Sequence, residues 1–306
     1  MGGLAELCRW GQVAVGGILC VGLLIAAASL PAQARSLAEI QQTGEIRFCI
    51  SDTDPAVAVA EPKGCREDCT FKGPVYDAAL AFAATLGDTV KPKFLRVNWD
   101  EQFHNKDGQT DREGTYTPEL LASGACDLYP SHLTKLPWRA KKLDFVILFP
   151  SRMMVLVNKR HKRKFKKPQN LAGKVAVVTK DSSFHTWLQG QNESAYKDNP
   201  VKIEFISGAD AVQVVDAGQA DFTLLDGDMA MYAAGSRFKK VALAFPVGPS
   251  DEIGWAFRKA DKDLQEAVKH YFEAEQKAAY SETNKRWKKT YGLSLQDYID
   301  MVMSLK

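Results

Sequence analysis

Two stretches of the chain place recognition-capable groups at the ends of short apolar runs. In the first, 123–145 (SGACDLYPSHLTKLPWRAKKLDF), Gly124 reads as a helix stop and Asp127 opens the apolar pair Leu128-Tyr129. Hydroxyl and imidazole groups follow at Tyr129, Ser131, His132 and Thr134, with Arg139 in a basic, helix-like segment beyond them. The second stretch, 215–226, repeats this grammar: a helix, Gly218, two residues, Asp221, the apolar run 222–225, and then Asp226. One strand end leads to a cation and the other carries an anion. Facing each other across a gap, they would complement a zwitterion. Polar residues just past the carboxyl ends of strands are where open α/β sheets bind ligands.

The elements that must hold these groups alternate. A short helix over 36–43 precedes a strand over 45–51, whose polar end is Asp52-Thr53-Asp54-Pro55. A nearly all-apolar helix over 75–86 reads as buried, followed by a strand over 93–97, a polar surface insertion within 99–117 and a helix over 118–123. Past the first stretch and the apolar run 145–149, strands are predicted at 153–158, 173–178, 202–206, 222–225, 241–245 and 253–258, interleaved with helices at 184–189, 209–217, 228–234 and 262–276 and a final pair at 281–289 and 295–305. This order implies parallel pairing with right-handed crossovers. Hydroxyls at 179–183 stand at a helix start, where free amides favour a carboxylate; Asp181 or Ser182 also fits there as a cap.

A chain of 306 residues, 45% hydrophobic, suits one large or two modest domains. The net charge of +3 and the lack of an aromatic–basic signature argue against nucleic acid. Residues 1–34 read as a signal peptide: Arg9, an apolar stretch over 13–30 and the small-residue site Ala32-Gln33-Ala34 place the mature start at Arg35, in an exported protein; the alternative is an uncleaved membrane anchor, since the apolar stretch is near the length that spans a bilayer. Export leaves Cys49, Cys65, Cys69 and Cys126 in an oxidising compartment, with three pairings open. Cys49 lies in the first strand and Cys126 just before one expected beside it, which favours Cys49–Cys126 with Cys65–Cys69. Zinc is disfavoured, because the Cys65–Cys69 spacing has no second pair like it. The basic run 159–167 reads as a solvated loop before Pro168, with docking to an acidic partner or a membrane surface as its functional alternative.

The segment Arg139-Ala140-Lys141-Lys142-Leu143-Asp144-Phe145 resembles the R-A-K-K-V-D-F signature of periplasmic solute-binding proteins of the polar amino-acid type. Further likenesses follow in order: 37–46 to L-x-x-I-x-x-x-G-x-L-R, 73–86 to G-F-D-V-D-L-A, 171–175 to L-K-G-K-K-V, 217–221 to A-G-R-V-D and 253–259 to G-I-A-V-R-K. The resemblance implies a two-lobed α/β fold of the type II periplasmic-binding-protein kind. Each lobe is then a mostly parallel sheet flanked by helices, joined by a two-strand hinge near 149–153 and 245–253. Lobe 1 would be 35–150 plus 252–306 and lobe 2 would be 151–251.

By the same resemblance, Arg139 grips a ligand carboxylate and Asp226 binds its ammonium. Ser131 and Thr134 complete the carboxylate site, and Ser182 and Ser183 form the matching pair of the other lobe. Asp52 or Asp54 contacts ligand, Trp99 covers it, and His132, like His185, falls in the cleft without a metal role. The family's aromatic-Pro-Pro-Phe patch is replaced by Pro55-Ala56-Val57-Ala58-Val59, so one pocket wall differs. The function implied is that of a monomeric periplasmic component of an ABC-type importer, without cofactor, capturing an amino-acid-like or anionic solute by hinge closure for a membrane permease. The alternative is an accessory protein on the same fold, docking to a periplasmic redox enzyme such as a methanol dehydrogenase system. The chain has no G-x-S-x-G, H-E-x-x-H or P-loop motif, and the expectation is of a protein that is not an enzyme.

Overall fold

The structure is a computed structural model, and it describes residues 35–304 apart from 53 and 207. The proposed signal peptide, 1–34, lies outside the described residues. Ten strands are seen among the described residues: β1 (Glu45–Ser51), β2 (Val59–Glu61), β3 (Thr70–Lys72), β4 (Lys91–Val97), β5 (Leu128–Thr134), β6 (Asp144–Asn158), β7 (Val175–Val178), β8 (Lys202–Phe205), β9 (Phe222–Asp226) and β10 (Val241–Phe257). The helices are α1 (Leu37–Thr43), α2 (Pro74–Thr85), α3 (Glu119–Ala122), α4 (Pro137–Ala140), α5 (Ser183–Glu193), α6 (Gly208–Ala217), α7 (Gly227–Tyr232), α8 (Lys262–Lys277), α9 (Glu282–Tyr291) and α10 (Leu295–Ser304).

Eight strands form one sheet in the order β4-β1-β5-β10-β6-β9-β7-β8. The pairs β1–β4, β1–β5, β7–β8 and β7–β9 are parallel, as helical crossovers require. The apolar run 145–149 and the strand expected at 153–158 are a single strand, β6, and the strands expected at 241–245 and 253–258 are a single strand, β10. Pro150 stays in the ladder opposite Glu252, and the Gly248-Pro249-Ser250 segment is passed by a register shift between Val247 and Ser250. Both strands pass between two cores. Phe48, Phe82, Phe149, Ile253 and Trp255 pack with α2, α8, α9 and α10 in one core, whereas Met153, Val155, Phe222, Val212 and Val247 pack in the other. The fold is therefore two-lobed, with β6 and β10 running antiparallel from lobe to lobe.

The repeated Gly-x-x-Asp grammar has a structural purpose. Gly124 and Gly218 each adopt a left-handed conformation (φ +72° and +76°) after their helices. Asp127 then accepts the backbone N–H of Arg47 at 2.8 Å, and Asp221 that of Val175 at 2.9 Å. Each Asp thus ties the start of the next strand to its parallel neighbour. Asp127, fully buried, also pairs with Arg35.

Three local expectations change. The charged, Cys-bearing segment over 63–72, which reads as a loop, ends in β3 and joins it to β2 as a hairpin. Helix α2 buries only the stripe Val75, Ala79, Phe82 and Ala83; its other face carries Asp77, Thr85 and the small Ala78, Ala81 and Ala84, which lose little by partial exposure. Lastly, β5 continues through Ser131, His132 and Thr134, so its polar residues are part of the sheet.

Both disulfides are present in the favoured pairing, Cys49–Cys126 and Cys65–Cys69. The first spans 77 residues and the second 4. Loop-closure entropy makes the long one dominant: Cys49→Ala with Cys126→Ala is expected to cost about 4 kcal/mol and Cys65→Ala with Cys69→Ala about 2 kcal/mol, read from urea midpoints. Equal losses would contradict this ranking.

Candidate functional site

Between the lobes lies a small, partly open chamber. The carboxyl end of β5 supplies Ser131, His132 and Thr134. The turn into α5 supplies Thr179, Ser182 and Ser183, and β9 supplies Asp226. Trp99, Phe184 and Met229 add apolar surface. The structure thus brings together the strand ends that the sequence singles out. A larger open cleft adjoins this chamber and shares Trp99 and Thr179 with it; Asp52, Arg96, Lys180, Asp181 and Phe205 are among its lining residues.

Asp226 sits at the N-cap position of α7, yet its side chain makes no capping hydrogen bond. It is 7% exposed, and its Oδ1 has no hydrogen-bond partner. Burial, with Asp228 and Asp251 nearby, pushes its carboxyl well above the usual carboxylate range, opposed by Arg139. Asp228, also buried, places Oδ2 3.6 Å from Nδ1 of His132. His132 itself holds a positive φ of +49°, which a non-glycine residue adopts only when its surroundings enforce it.

Arg139 occupies a different place from the one expected of a carboxylate grip. It is fully buried and is not among the residues lining the chamber. Its Nη1 donates to the carbonyl of Thr134 at 2.9 Å and its Nη2 to the carbonyl of Asp181 at 3.0 Å. The guanidinium lies 5.3, 4.7 and 5.2 Å from the ring centres of Trp99, Phe103 and Trp138. Burial lowers its pKa to about 9, with Asp226 acting the other way. The group therefore joins the two lobes and sets a positive potential behind the chamber wall.

The hydroxyls are partly committed. Ser182 caps α5 by accepting the His185 N–H at 3.2 Å, and its own hydroxyl donates to the Thr179 carbonyl. The Thr134 hydroxyl meets that of Ser183 at 3.4 Å across the lobes. Ser131 accepts the Ser51 N–H. Asp52 lines the outer cleft and pairs with Arg96 at 2.8 Å. Asp54 shapes a turn, its side chain accepting the Ala56 N–H at 2.7 Å, and it lines neither cavity. No group of three or more His, Cys, Asp or Glu with metal-binding geometry occurs among the described residues.

Sequence reasoning missed a second interlobe link. The insertion folds back instead of projecting. Lys142 donates to the Gly114 carbonyl and Lys141 pairs with Glu113. Arg112 reaches across the cleft mouth to Asp181 at 2.7 Å and stacks over Trp138. His185 Nδ1 accepts the Asp181 N–H, and burial beside Arg112 lowers its pKa. An Arg whose partner lies 69 positions away leaves no periodic signal by which to find it.

Asp251, on the crossing part of β10, is pushed up to about 6 by burial. A carboxyl whose folded pKa exceeds its unfolded value near 3.8 holds its proton more tightly when folded. Its contribution is therefore fully present below about pH 4 and is lost as pH rises through about 6. Asp251→Asn is expected to flatten the fall in melting temperature between pH 4 and pH 6. An unchanged slope would assign that fall to other groups.

No family model matches the sequence. Two curated relatives are both called membrane-bound lytic murein transglycosylase F. That of Desulfosudis oleivorans is 23% identical over 198 residues, covering 65% of this chain and 40% of the relative. That of Ectopseudomonas mendocina is 24% identical over 250 residues, covering 81% and 46%. The chain spans less than half the length of these relatives. The expectation of a protein that is not an enzyme is corrected here, because both curated relatives bear an enzyme's name.

Among solved structures, an ancestral amino acid-binding protein, a precursor of cyclohexadienyl dehydratase, is 24% identical with a TM-score of 0.65, over 83% of this chain and 98% of that one. A mutant of ArgBP from T. maritima is 21% identical with a TM-score of 0.65, over 84% and 100%. An amino acid ABC transporter substrate-binding protein from Streptococcus pneumoniae, bound to L-arginine, is 20% identical with a TM-score of 0.64, over 89% and 99%. The chain has the fold of these amino-acid-binding proteins.

Proposed function

We propose that the protein captures a small amino-acid-like solute between its lobes, in the periplasm, and presents it to a membrane transporter. The carrying observation is Asp226: a buried carboxylate with an unpartnered oxygen, at a strand end, in a chamber between two lobes. Such a group is costly to ionise and is relieved by a ligand ammonium. Lobe 1 is taken as 35–150 plus 252–306 and lobe 2 as 151–251, closing by bending at the crossing strands. Residues 1–34 act as the export signal, and the mature chain works as a monomer. No helix among the described residues is long and apolar enough to cross a membrane.

Of the two ligand classes raised by the sequence, the amino-acid-like one is better supported. Two donors of Arg139 are already engaged by carbonyls, while Asp226, Asp228 and Asp251 crowd acidic charge around the chamber. A ligand with a cationic group suits that field better than a simple anion. The solved neighbours with L-arginine in their names support the same class. The test is a melting-temperature screen with amino acids and small carboxylates. A ligand at 100 times its Kd should add about 2.7 kcal/mol. A response to carboxylates alone would overturn the reading.

A second reading is favoured by the names of the curated relatives: the chain acts within or beside a murein-cleaving enzyme, its lobes sensing solute. Release of soluble fragments from purified peptidoglycan would support it. The insertion lends the redox-partner alternative little support as a docking surface, because it is tied to this chain's own Lys141 and Asp181.

A further inference from the structure

A basic pole on lobe 2 has no part in solute capture. Seven of the nine residues in 159–167 are Lys or Arg, and all seven are exposed. The segment is held in place as a 3-10 turn. Asn158 Oδ1 accepts the Arg160 N–H, and Phe165 is buried in the lobe core. The Lys159 N–H and ammonium donate to the carbonyls of Lys240 and Lys239, which bring two more exposed cations alongside. None of these nine side chains forms an ion pair among the described residues. The chain's net charge is +3, so the remainder of the molecule carries −6 (3 minus 9). Asp216 accepts the Lys240 N–H at 2.8 Å beside the pole, and the nine cations still leave this end strongly positive.

Strand register fixes which end that is. Asn158 pairs with Val241 and Val157 with Phe222, at the sheet end opposite Asp226, which pairs with Met153. The pole faces away from the chamber. Its cations share one short turn and its neighbouring strand start, and the one aromatic side chain of the run, Phe165, points inward. A shaped protein partner is typically gripped by exposed aromatic anchors in pockets. A broad sheet of negative charge needs only exposed cations.

We propose that this pole docks on the anionic headgroup surface of a phospholipid bilayer. Attraction at the pole and repulsion of the acidic remainder orient the molecule, leaving the chamber unobstructed. Binding is electrostatic, so it weakens as the screening length falls from about 10 Å at 0.1 M salt to about 3 Å at 1 M.

The experiment is co-sedimentation of the purified protein with vesicles of phosphatidylglycerol and phosphatidylcholine, against vesicles of phosphatidylcholine alone. The expected result is salt-sensitive binding to the anionic vesicles only. The triple variant Lys162→Glu, Arg163→Glu, Lys164→Glu should lose about 100-fold in affinity or more. Lys288→Glu with Lys289→Glu, on exposed positions of α9 in the other lobe, should bind as the parent does. Melting temperatures verify that both variants fold. Failure to sediment with anionic vesicles, or a triple variant that binds like the parent, overturns the proposal.

Discussion

Asp226→Asn is expected to abolish the rise in melting temperature that a bound amino acid produces, while raising the melting temperature of the ligand-free protein. Both effects come from one cause. The carboxylate is buried, one oxygen lacks a partner, and neighbouring acids oppose its ionisation. A neutral side chain of the same shape removes that penalty. It equally removes the counter-charge for a ligand ammonium, a loss of roughly 2–5 kcal/mol for a buried charge pair. About 4 kcal/mol separates micromolar from millimolar binding, so calorimetry would lose its signal. A variant that binds as tightly as the parent would place the recognition group elsewhere in the chamber.

The second large effect belongs to Arg139. Arg139→Ala should lower stability by about 3–5 kcal/mol as well as weaken binding, since a fully buried guanidinium bridges two lobes and packs on three rings. The carbonyls of Thr134 and Asp181 would each lose a donor. Arg139→Lys keeps the charge but not the planar fork, and should recover only part of the loss. Urea midpoints measure this directly. Parent-like stability in Arg139→Ala would show that neither bridge holds the lobes together.

Much of this site is legible in the residues themselves. The two strand ends are local patterns, a glycine stop followed by an acid and an apolar run, and local patterns survive in sequence. They point to Ser131, Thr134 and Asp226, which line one chamber with Ser182 and Ser183 from the helix start. What escapes depends on three-dimensional competition for partners. Nothing in the sequence near Arg139 shows that its donors are taken by a carbonyl 42 positions away. The insertion reads as a surface loop because its residues are polar, and polarity does not reveal that Arg112 ends against Asp181. Likewise Gly248-Pro249-Ser250 signals a break, where β10 runs on without interruption.

The two crossing strands lie side by side and share a ladder through the waist, with register shifts at Leu243/Pro246, Val247/Ser250 and Ile253/Gly254. Gly254 there lies against the Val146 carbonyl with no room for a side chain. A paired ribbon bends readily across its flat face but resists sliding and splaying in its own plane. Opening and closing should therefore follow a single arc, and the two halves of the chamber would meet in the same alignment on every cycle.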